Sequence, residues 1–144
     1  MGGVDPARFY EAFFFADSEA LADSLAELVL SGKKQATAGS VASYEAEGKR
    51  VPAPGDLSVV TDWAGVPKCI IETVAVDLVP FDQVTEAFAA IEGEGDGSLA
   101  YWQEAHRRYF ERECSRLGST FTEKILLACE RFKVVFPLAP KNLA

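Results

Sequence analysis

The chain lacks the residue clusters by which many enzyme and metalloprotein classes are recognised. Its three cysteines, Cys69, Cys114 and Cys129, form no C-x-x-C pair, a pattern that favours free, buried thiols in a reducing cytoplasm over a disulfide framework. The 144 residues contain no P-loop, zinc cluster or dinucleotide-binding glycine fingerprint. No segment approaches the ~18 apolar residues of a membrane span. We therefore expect a cytoplasmic protein with no membrane partner.

Positive charge is also scarce, and this limits the expected partners. There are 22 acidic and 14 basic side chains, for a formal net charge of −8. Broad, non-specific binding to nucleic acid needs a basic surface, so the composition argues against it. The exception is residues 31–50, where basic side chains outnumber acidic ones. These basic residues are Lys33, Lys34, Lys49 and Arg50.

The order of the predicted elements favours an α+β fold. Helical patterns come first, strand patterns begin at Leu57, and a helical insertion precedes the last strand. The first part of the chain is predicted to form helices at 5–14 and 18–30, an extended piece at 35–38 and one or two helical turns after Ser40. A hairpin follows, and its long second arm is PKCIIETVAVDLV. Helices at 85–91 and 98–116 come next, and the segment ILLACERFKVVFPL supplies the closing strand material. We expect one domain, residues 1–144, built on an antiparallel sheet or a small barrel.

The long strand carries a carboxylate among aliphatic residues. Strict alternation places Glu72 on the same face as four aliphatic side chains. An isolated buried carboxylate is costly, so it should either be protonated or meet a cation or several hydrogen-bond donors. The sequence therefore predicts a pocket in which Glu72 pairs with Lys33 or Lys34. The alternative is a strand position that reaches water.

The segment SGKKQATAGS places Lys34 three residues before Thr37, directly after a predicted helix. In a tight turn both could face one pocket. A lysine beside a carboxylate can orient a substrate oxygen or, if its pKa is lowered, act as base for a hydroxyl. Two lysines after a helix C-terminus also complement the helix dipole, and spacing alone does not separate these interpretations.

The acidic loop EGEGD and the helix that follows it contain weaker candidates. Glu92, Glu94 and Asp96 could hold a hard divalent cation such as Mn²⁺ or Mg²⁺. A loop that keeps its charges solvated and caps the next helix is the favoured interpretation. His106 lies among aromatic residues at helical spacing, where a hydrogen-bonded, half-buried histidine is more common than a catalyst.

Aromatic residues make up 11% of the chain. Most of them should belong to the core. Tyr44, Trp63 and Trp102 are the ones that could stack on a base.

Taken together, these blocks resemble the ASCH family. Its motif G-x-K-x-x-T/S stands here as GKKQAT, from Gly32 to Thr37. The segments LADSLAELVLSGKKQATAG, VPAPGDLSVV, IETVAVDLVPFDQV and EGEGDGSLAYWQEAHRRYF resemble the entry helix, first barrel strand, long strand and acidic loop of the longer bacterial members. The likeness covers about residues 14–136.

The resemblance implies a PUA-like small β-barrel with N-terminal helices, a helical insertion and a cleft over the motif. The implied ligand is single-stranded RNA or a modified nucleoside. Three functions follow as hypotheses: a ribonuclease, which we expect first, an amidohydrolase of an acylated nucleoside such as N4-acetylcytidine, and a non-catalytic RNA-binding module. The protein would be a monomer or homodimer, with no cofactor beyond a divalent metal such as Mn²⁺ or Mg²⁺.

The resemblance also implies roles for particular residues. The expected catalytic residues are Lys34, Thr37, Glu72, Tyr44 and Arg50. The expected substrate-binding residues are Gly32, Lys33, Ser40, Lys49, Trp102 and His106. No residue is predicted to be a dedicated metal ligand.

Overall fold

The computed structural model describes residues 6–137. Its regular elements are β1 (Phe9–Phe13), α1 (Glu19–Leu30), β2 (Ala36–Ser40), α2 (Val41–Ala46), β3 (Leu57–Thr61), β4 (Pro67–Pro80), α3 (Glu86–Glu92), α4 (Leu99–Arg116) and β5 (Leu126–Pro137). Short 3₁₀ turns occupy Pro6–Arg8 and Phe81–Gln83. In the described range, no helix combines the length and the apolar character needed to cross a bilayer.

The five strands form one sheet in the order β1-β3-β4-β5-β2. The β1–β3 pair is parallel and the other pairs are antiparallel. The α+β class is as predicted, but the sheet is open, with β1 and β2 as its two edges. The expectation of a closed barrel is therefore wrong.

The helices begin where side chains can cap them. Ser18 accepts a hydrogen bond from the Leu21 amide at α1, and Ser98 does the same for Tyr101 at α4. Such a cap satisfies an amide that has no partner within the helix. These boundaries agree with the sequence prediction because the capping signals are local.

The predicted helix at 5–14 is wrong, since β1 occupies Phe9–Phe13. Aromatic residues favour strands, and this segment pairs with β3, about fifty residues further along the chain. No local pattern reveals that partner.

The helices pack on both faces of the sheet and create two cores. The first joins α1 to the middle strands around Val29, Ile71 and Phe132. The second joins α3 and α4 to the other end of β5 around Phe81, Trp102 and Leu127. All three cysteines are buried free thiols, as predicted.

Strand β4 contains a β-bulge between Thr73 and Ala75. The inward face before the bulge is formed by Cys69, Ile71 and Thr73, which are almost fully buried. Glu72 lies on the opposite face, and its neighbour Val74 is 48% exposed. The predicted inward face of this strand is therefore wrong, because alternation identifies two faces without saying which is covered.

Candidate functional site

A cleft of about 290 Å³ lies where the sheet fails to close. One wall comes from β1, with Glu11 and Phe13, and the other from β2, with Thr37 and Gly39. Side chains from α1, α2 and α4 complete the lining. Ligand pockets usually measure about 300–1,000 Å³, so this volume suits one small molecule of roughly nucleoside size.

Lys34 lies beneath this cleft and is 1% exposed. Its ammonium donates to the Ala36 carbonyl at 2.8 Å, Glu92 Oε2 at 2.9 Å and Glu94 Oε2 at 2.7 Å. A lysine ammonium has three donors, so all of them are used within the protein. Burial would lower the pKa of Lys34, but the two carboxylates outweigh it and raise the pKa. Lys34 is therefore held as a cation, which opposes the predicted role of a base with a lowered pKa.

Glu92 is the centre of this network and is 1% exposed. Its Oε1 accepts from Trp102 Nε1 at 2.5 Å, and its Oε2 lies 3.2 Å from His106 Nε2. Burial would raise the pKa of Glu92, but Lys34 and His106 outweigh it and hold the pKa below its usual range. The interpretation of this loop as solvated is thus wrong for Glu92. Asp96 does fit it, because its Oδ1 accepts from the Ser98 amide near the start of α4.

His106 lines the cleft and is largely buried. Its Nδ1 lies 2.9 Å from the Trp102 carbonyl, and its ring stacks on Trp102 with centroids 4.1 Å apart. Both ring nitrogens thus lie within hydrogen-bond distance of oxygen atoms, the Trp102 carbonyl and the Glu92 carboxylate. Burial lowers the pKa of His106, but the Glu92 charge outweighs it and the pKa is raised. His106 is a buried, hydrogen-bonded residue, as favoured from sequence.

Glu92, Glu94 and His106 bring ligand atoms within 4.8 Å of one another, which is the spacing of a cation site. The Lys34 ammonium already contacts both carboxylates. A metal ion would have to displace this buried lysine, so the group is better described as an ion-paired network.

Glu130 on β5 faces the cleft beside the motif threonine. Thr37 and Glu130 are directly paired across the β2–β5 ladder, so their side chains share one face. Both line the cleft. Thr73 donates to Glu130 Oε2 at 2.7 Å. Burial raises the pKa of Glu130 to about 7, against a partial lowering by the Thr73 hydrogen bond.

Glu72, by contrast, does not contact Lys34. Its Oε2 pairs with Arg8 Nη2 at 3.0 Å on the opposite face of the sheet, with both side chains partly exposed. The predicted pairing of Glu72 with Lys33 or Lys34 is wrong. The alternative, a strand position that reaches water, describes Glu72 correctly.

Two predicted residues on either side of the β2–α2 junction have different surroundings. Tyr44 lines the cleft, and burial raises the pKa of its phenol. A Cβ placed on Gly39 would come within 3.2 Å of the Tyr44 ring, so glycine permits this contact. Ser40 is buried away from the lining, donates to Glu113 Oε1 at 2.6 Å and caps α2.

The basic residues predicted near the motif are already paired or lie outside the cleft lining. Lys49 binds Glu11 at 2.7 Å, and Arg50 binds Asp56 at 2.8 and 3.1 Å. Lys33 is exposed, and so is Gly32, whose positive φ of 85° closes the turn after α1.

The two tryptophans also differ in access. Trp102 is 2% exposed, so its ring faces are covered and cannot receive a base. Trp63 is 39% exposed and packs on Phe14, a cleft residue, with ring centroids 4.7 Å apart.

Acidic groups dominate the cleft lining. Its carboxylates belong to Glu11, Asp17, Glu47, Glu92, Glu94, Glu113 and Glu130. The guanidinium in the lining is that of Arg112, and Asp17 holds it at 2.8 and 3.0 Å. The cleft therefore attracts neutral or cationic ligands more strongly than phosphates.

Comparison with known proteins places this geometry in a family. The family description "ASCH domain" matches residues 11–136. The chain belongs to the ASCH domain family. ASCH domains share a PUA-like fold and broadly bind RNA. Of the motif Gly32–Thr37, Thr37 lines the cleft, and Lys34 contacts the lining carboxylates of Glu92 and Glu94.

Solved structures of other proteins resemble this one. An ASCH domain from Lactobacillus crispatus JV V101 is 48% identical, with a TM-score of 0.84, over 89% of this chain and 80% of that one. A protein from Enterococcus faecalis V583 is 33% identical, also with a TM-score of 0.84, over 94% and 82% of the two chains. A hypothetical protein at 14% identity and a TM-score of 0.58 shares the fold, over 88% and 99% of the two chains. The search of curated proteins gave no match.

Sequence reasoning missed Glu130, the strand glutamate that does share a cleft with the ASCH threonine. A signal was present, because Glu130 interrupts the apolar run ILLAC in the closing strand. The same argument that selected Glu72 applies equally to Glu130. The pairing of β2 with β5 places Glu130, and not Glu72, opposite Thr37. The alternation of residues along a strand does not reveal which strands pair.

Proposed function

We propose that this ASCH domain hydrolyses an acyl amide on the base of a modified nucleoside, of which N4-acetylcytidine is the test case. The observation that carries the proposal is Glu130, a carboxyl with a pKa of about 7 that lies opposite Thr37 in a nucleoside-sized cleft. A base with such a pKa is half ionised at neutral pH, the condition under which proton transfer is efficient.

In the proposed reaction Thr37 attacks the acyl carbonyl. Glu130 accepts the hydroxyl proton of Thr37 and returns it to the departing amine of the base. Water then attacks the threonine ester while Glu130 accepts its proton. Glu130 returns this proton to the departing Thr37 Oγ1, which releases the carboxylic acid and restores both side chains. The net reaction consumes one water and yields one acid and one nucleoside amine.

Lys34 acts in this proposal as a positioning residue. Its ammonium ties the Ala36 carbonyl of β2 to the carboxylates of Glu92 and Glu94. This fixes the strand just before Thr37. The earlier hypothesis that Lys34 assists chemistry directly would require a donor that these contacts leave free.

Charge weighs against the ribonuclease hypothesis. A phosphodiester bound in the cleft would face the carboxylates named above. Arg50 and Lys49 are not lining residues, and they are already paired with Asp56 and with the cleft carboxylate of Glu11. Stabilising a phosphorane needs cations aimed at the reacting phosphate. The ribonuclease therefore stays a prediction with less support than the amidohydrolase.

The test is chromatography of N4-acetylcytidine after incubation with purified protein. We expect conversion to cytidine and acetate. Thr37→Val removes the hydroxyl at similar volume and should lower kcat/KM by about 100-fold or more, whereas Thr37→Ser should retain activity. Glu130→Gln should cost about 100-fold or more, the usual contribution of a general base.

Glu72→Gln is the matched control, because it changes a strand glutamate outside the cleft. It should hydrolyse the substrate within twofold of wild type. Unchanged N4-acetylcytidine at high enzyme concentration would rule out that substrate, and a fully active Glu130→Gln would rule out the base. Parallel incubation with labelled single-stranded RNA, with and without Mn²⁺ or Mg²⁺, tests the ribonuclease.

A further inference from the structure

Strand β4 continues beyond the end of β3 and has one unpaired backbone edge there. The β3–β4 ladder ends at Glu72, and the turn before β3 binds the backbone amide and carbonyl of Thr73. From Ala75 to Pro80, β5 pairs with one edge of β4. Between residues 6 and 137, no segment forms a backbone hydrogen bond with the other edge of this stretch. Its amides and carbonyls are therefore open to a further strand.

The side chains along this edge are largely apolar and exposed. The stretch 74–80 has the sequence VAVDLVP, in which Asp77 is the charged residue. Leu78 is 54% exposed and Val74 is 48% exposed. Valine favours strands, and proteins usually protect an exposed edge of this kind with lysine and other charges. Here the bulge at Val74 and the proline at position 80 limit the edge at its two ends, with a single carboxylate between them.

We propose that residues 74–80, which we call the β4 edge, bind the β4 edge of a second copy of this chain in an antiparallel pair. Strand addition supplies backbone hydrogen bonds, and the side chains that meet across the pair select the partner. In a two-fold symmetric dimer the same surface meets itself. Residues directly opposite each other in an antiparallel pair share one face of the sheet, so the β4 edge must be complementary to itself on both faces.

One register gives this complementarity. When Val76 lies opposite Val76 of the second copy, Leu78 lies opposite Val74, and Asp77 lies opposite Ala75. The exposed apolar side chains then cover each other on one face of the joined sheet. On the other face each carboxylate meets a small side chain.

The neighbouring registers that keep the faces aligned are less suitable. A shift of the dyad by one residue towards Pro80 places the two Asp77 carboxylates directly opposite each other, and like charges in that position are destabilising. The opposite shift brings Asp77 to Thr73, whose backbone already binds the turn before β3. A larger shift towards Pro80 uses a residue that has no amide to donate.

Charge complementarity favours a second copy over an unrelated strand. Ala75 lies opposite Arg131 of β5, and the proposed register places Asp77 of the second copy on the other side of Ala75. The three positions share one face, and the arginine and the carboxylate stand about 9.6 Å apart at the backbone, across a small side chain. Arg131 forms no ion pair with any residue between 6 and 137, although Asp77 of its own chain lies diagonally from it. Symmetry forms the new pair twice.

The β4 edge is separate from the proposed hydrolytic cleft, whose lining includes no residue from 74 to 80. Joining two copies through β4 leaves the gap between β1 and β2 open to a nucleoside. The inference goes beyond the proposed hydrolase and does not depend on it.

The experiment is sedimentation velocity of the whole chain over a wide range of protein concentration. We expect wild type to form dimers as the concentration rises. Leu78→Lys should weaken dimerisation by about tenfold or more, because a lysine on an exposed edge opposes strand pairing and the dimer contains it twice. The added lysine makes the chain less negative, so repulsion between copies cannot explain this loss.

The matched control is Val66→Lys, in the turn before β4, where the wild-type side chain is 51% exposed. This variant should dimerise as wild type does. Equal losses in the two variants would overturn the proposal, and so would a wild-type protein that stays monomeric at every concentration. Circular dichroism confirms that each variant is folded.

Two further variants test the register. Val76→Cys should form an intermolecular disulfide on mild oxidation, while the three buried native thiols should not. Cross-linking of Val76→Cys no faster than that of Val66→Cys would refute the register. Arg131→Glu should weaken dimerisation by about fivefold, as expected for two exposed ion pairs, and Asp77→Arg/Arg131→Glu should restore it. A loss without restoration would refute the pairing of Arg131 with Asp77.

Discussion

Glu130 and Glu72 are both strand glutamates, yet they occupy opposite chemical surroundings. Glu130 is 6% exposed, accepts from Thr73 and shares an acidic cleft with Thr37. Glu72 is partly exposed and bound to Arg8 on the opposite face of the sheet. Burial without a neighbouring cation raises the pKa of the Glu130 carboxyl. The Glu72 carboxylate is instead partly exposed to water and paired with the Arg8 guanidinium. The same residue type therefore has a raised pKa in one region and pairs with a guanidinium near the surface in the other.

The largest expected contrast is between the ion pairs of the two regions. Lys34→Met would leave Glu92 and Glu94 without their shared cation in a buried site, so we expect the free energy of unfolding to fall by about 3–5 kcal/mol. Arg8→Met removes a partly exposed pair and should cost less than about 1 kcal/mol. Urea denaturation measures both. Equal losses would mean that the buried network is not the stabilising unit described above.

The second contrast is in the pH dependence of stability. The pKa of Glu130 is about 7 in the folded protein and 4.5 ordinarily. The folded state therefore binds this proton more tightly, and stability is lost as pH rises from about 4.5 through 7. The loss is on the order of 3 kcal/mol.

Glu130→Gln lacks this titration, so its stability relative to wild type should rise between pH 4.5 and pH 8. Denaturation curves at both pH values check it. Glu72→Gln, measured in parallel, should stay level relative to wild type. A level result for Glu130→Gln as well would contradict the assigned ionisation.

Enzyme activity offers a third, smaller contrast. If Glu130 is the base, kcat/KM for N4-acetylcytidine requires its ionised form and should fall about tenfold per pH unit below 7. At pH 5 it should be about one hundredth of the plateau. Glu72→Gln should show the same profile as wild type. A wild-type profile flat from pH 5 to 8 would exclude Glu130 as the base.

The sequence was sufficient for elements defined by local chemistry. The predicted helices at 18–30 and 98–116 begin at caps that act within a few residues, and α1 and α4 occupy these positions in the structure. The motif segment also falls where the resemblance indicated, with Thr37 on the cleft wall.

The failures all involve partners distant in sequence. Phe9–Phe13 is a strand because of β3, and Glu92 is buried because Lys34, 58 residues away, supplies its counter-charge. Glu72 was selected and Glu130 was not considered, because alternation cannot tell the covered face of a strand from the open one. These choices follow from tertiary pairing, which no single segment encodes.

The open sheet leaves room for the cleft, but it also leaves two strand edges that strands of other copies could pair with. Both β1 and β2 end the sheet, so each has backbone amides and carbonyls turned away from its single strand neighbour. Joining these edges would satisfy those groups but would fill the space between Glu11 and Thr37. A chain that keeps the gap must instead prevent other strands from docking there, and the carboxylates around it repel acidic segments of neighbouring copies. The carboxylates that disfavour phosphate binding in the cleft thus also disfavour edge-to-edge aggregation.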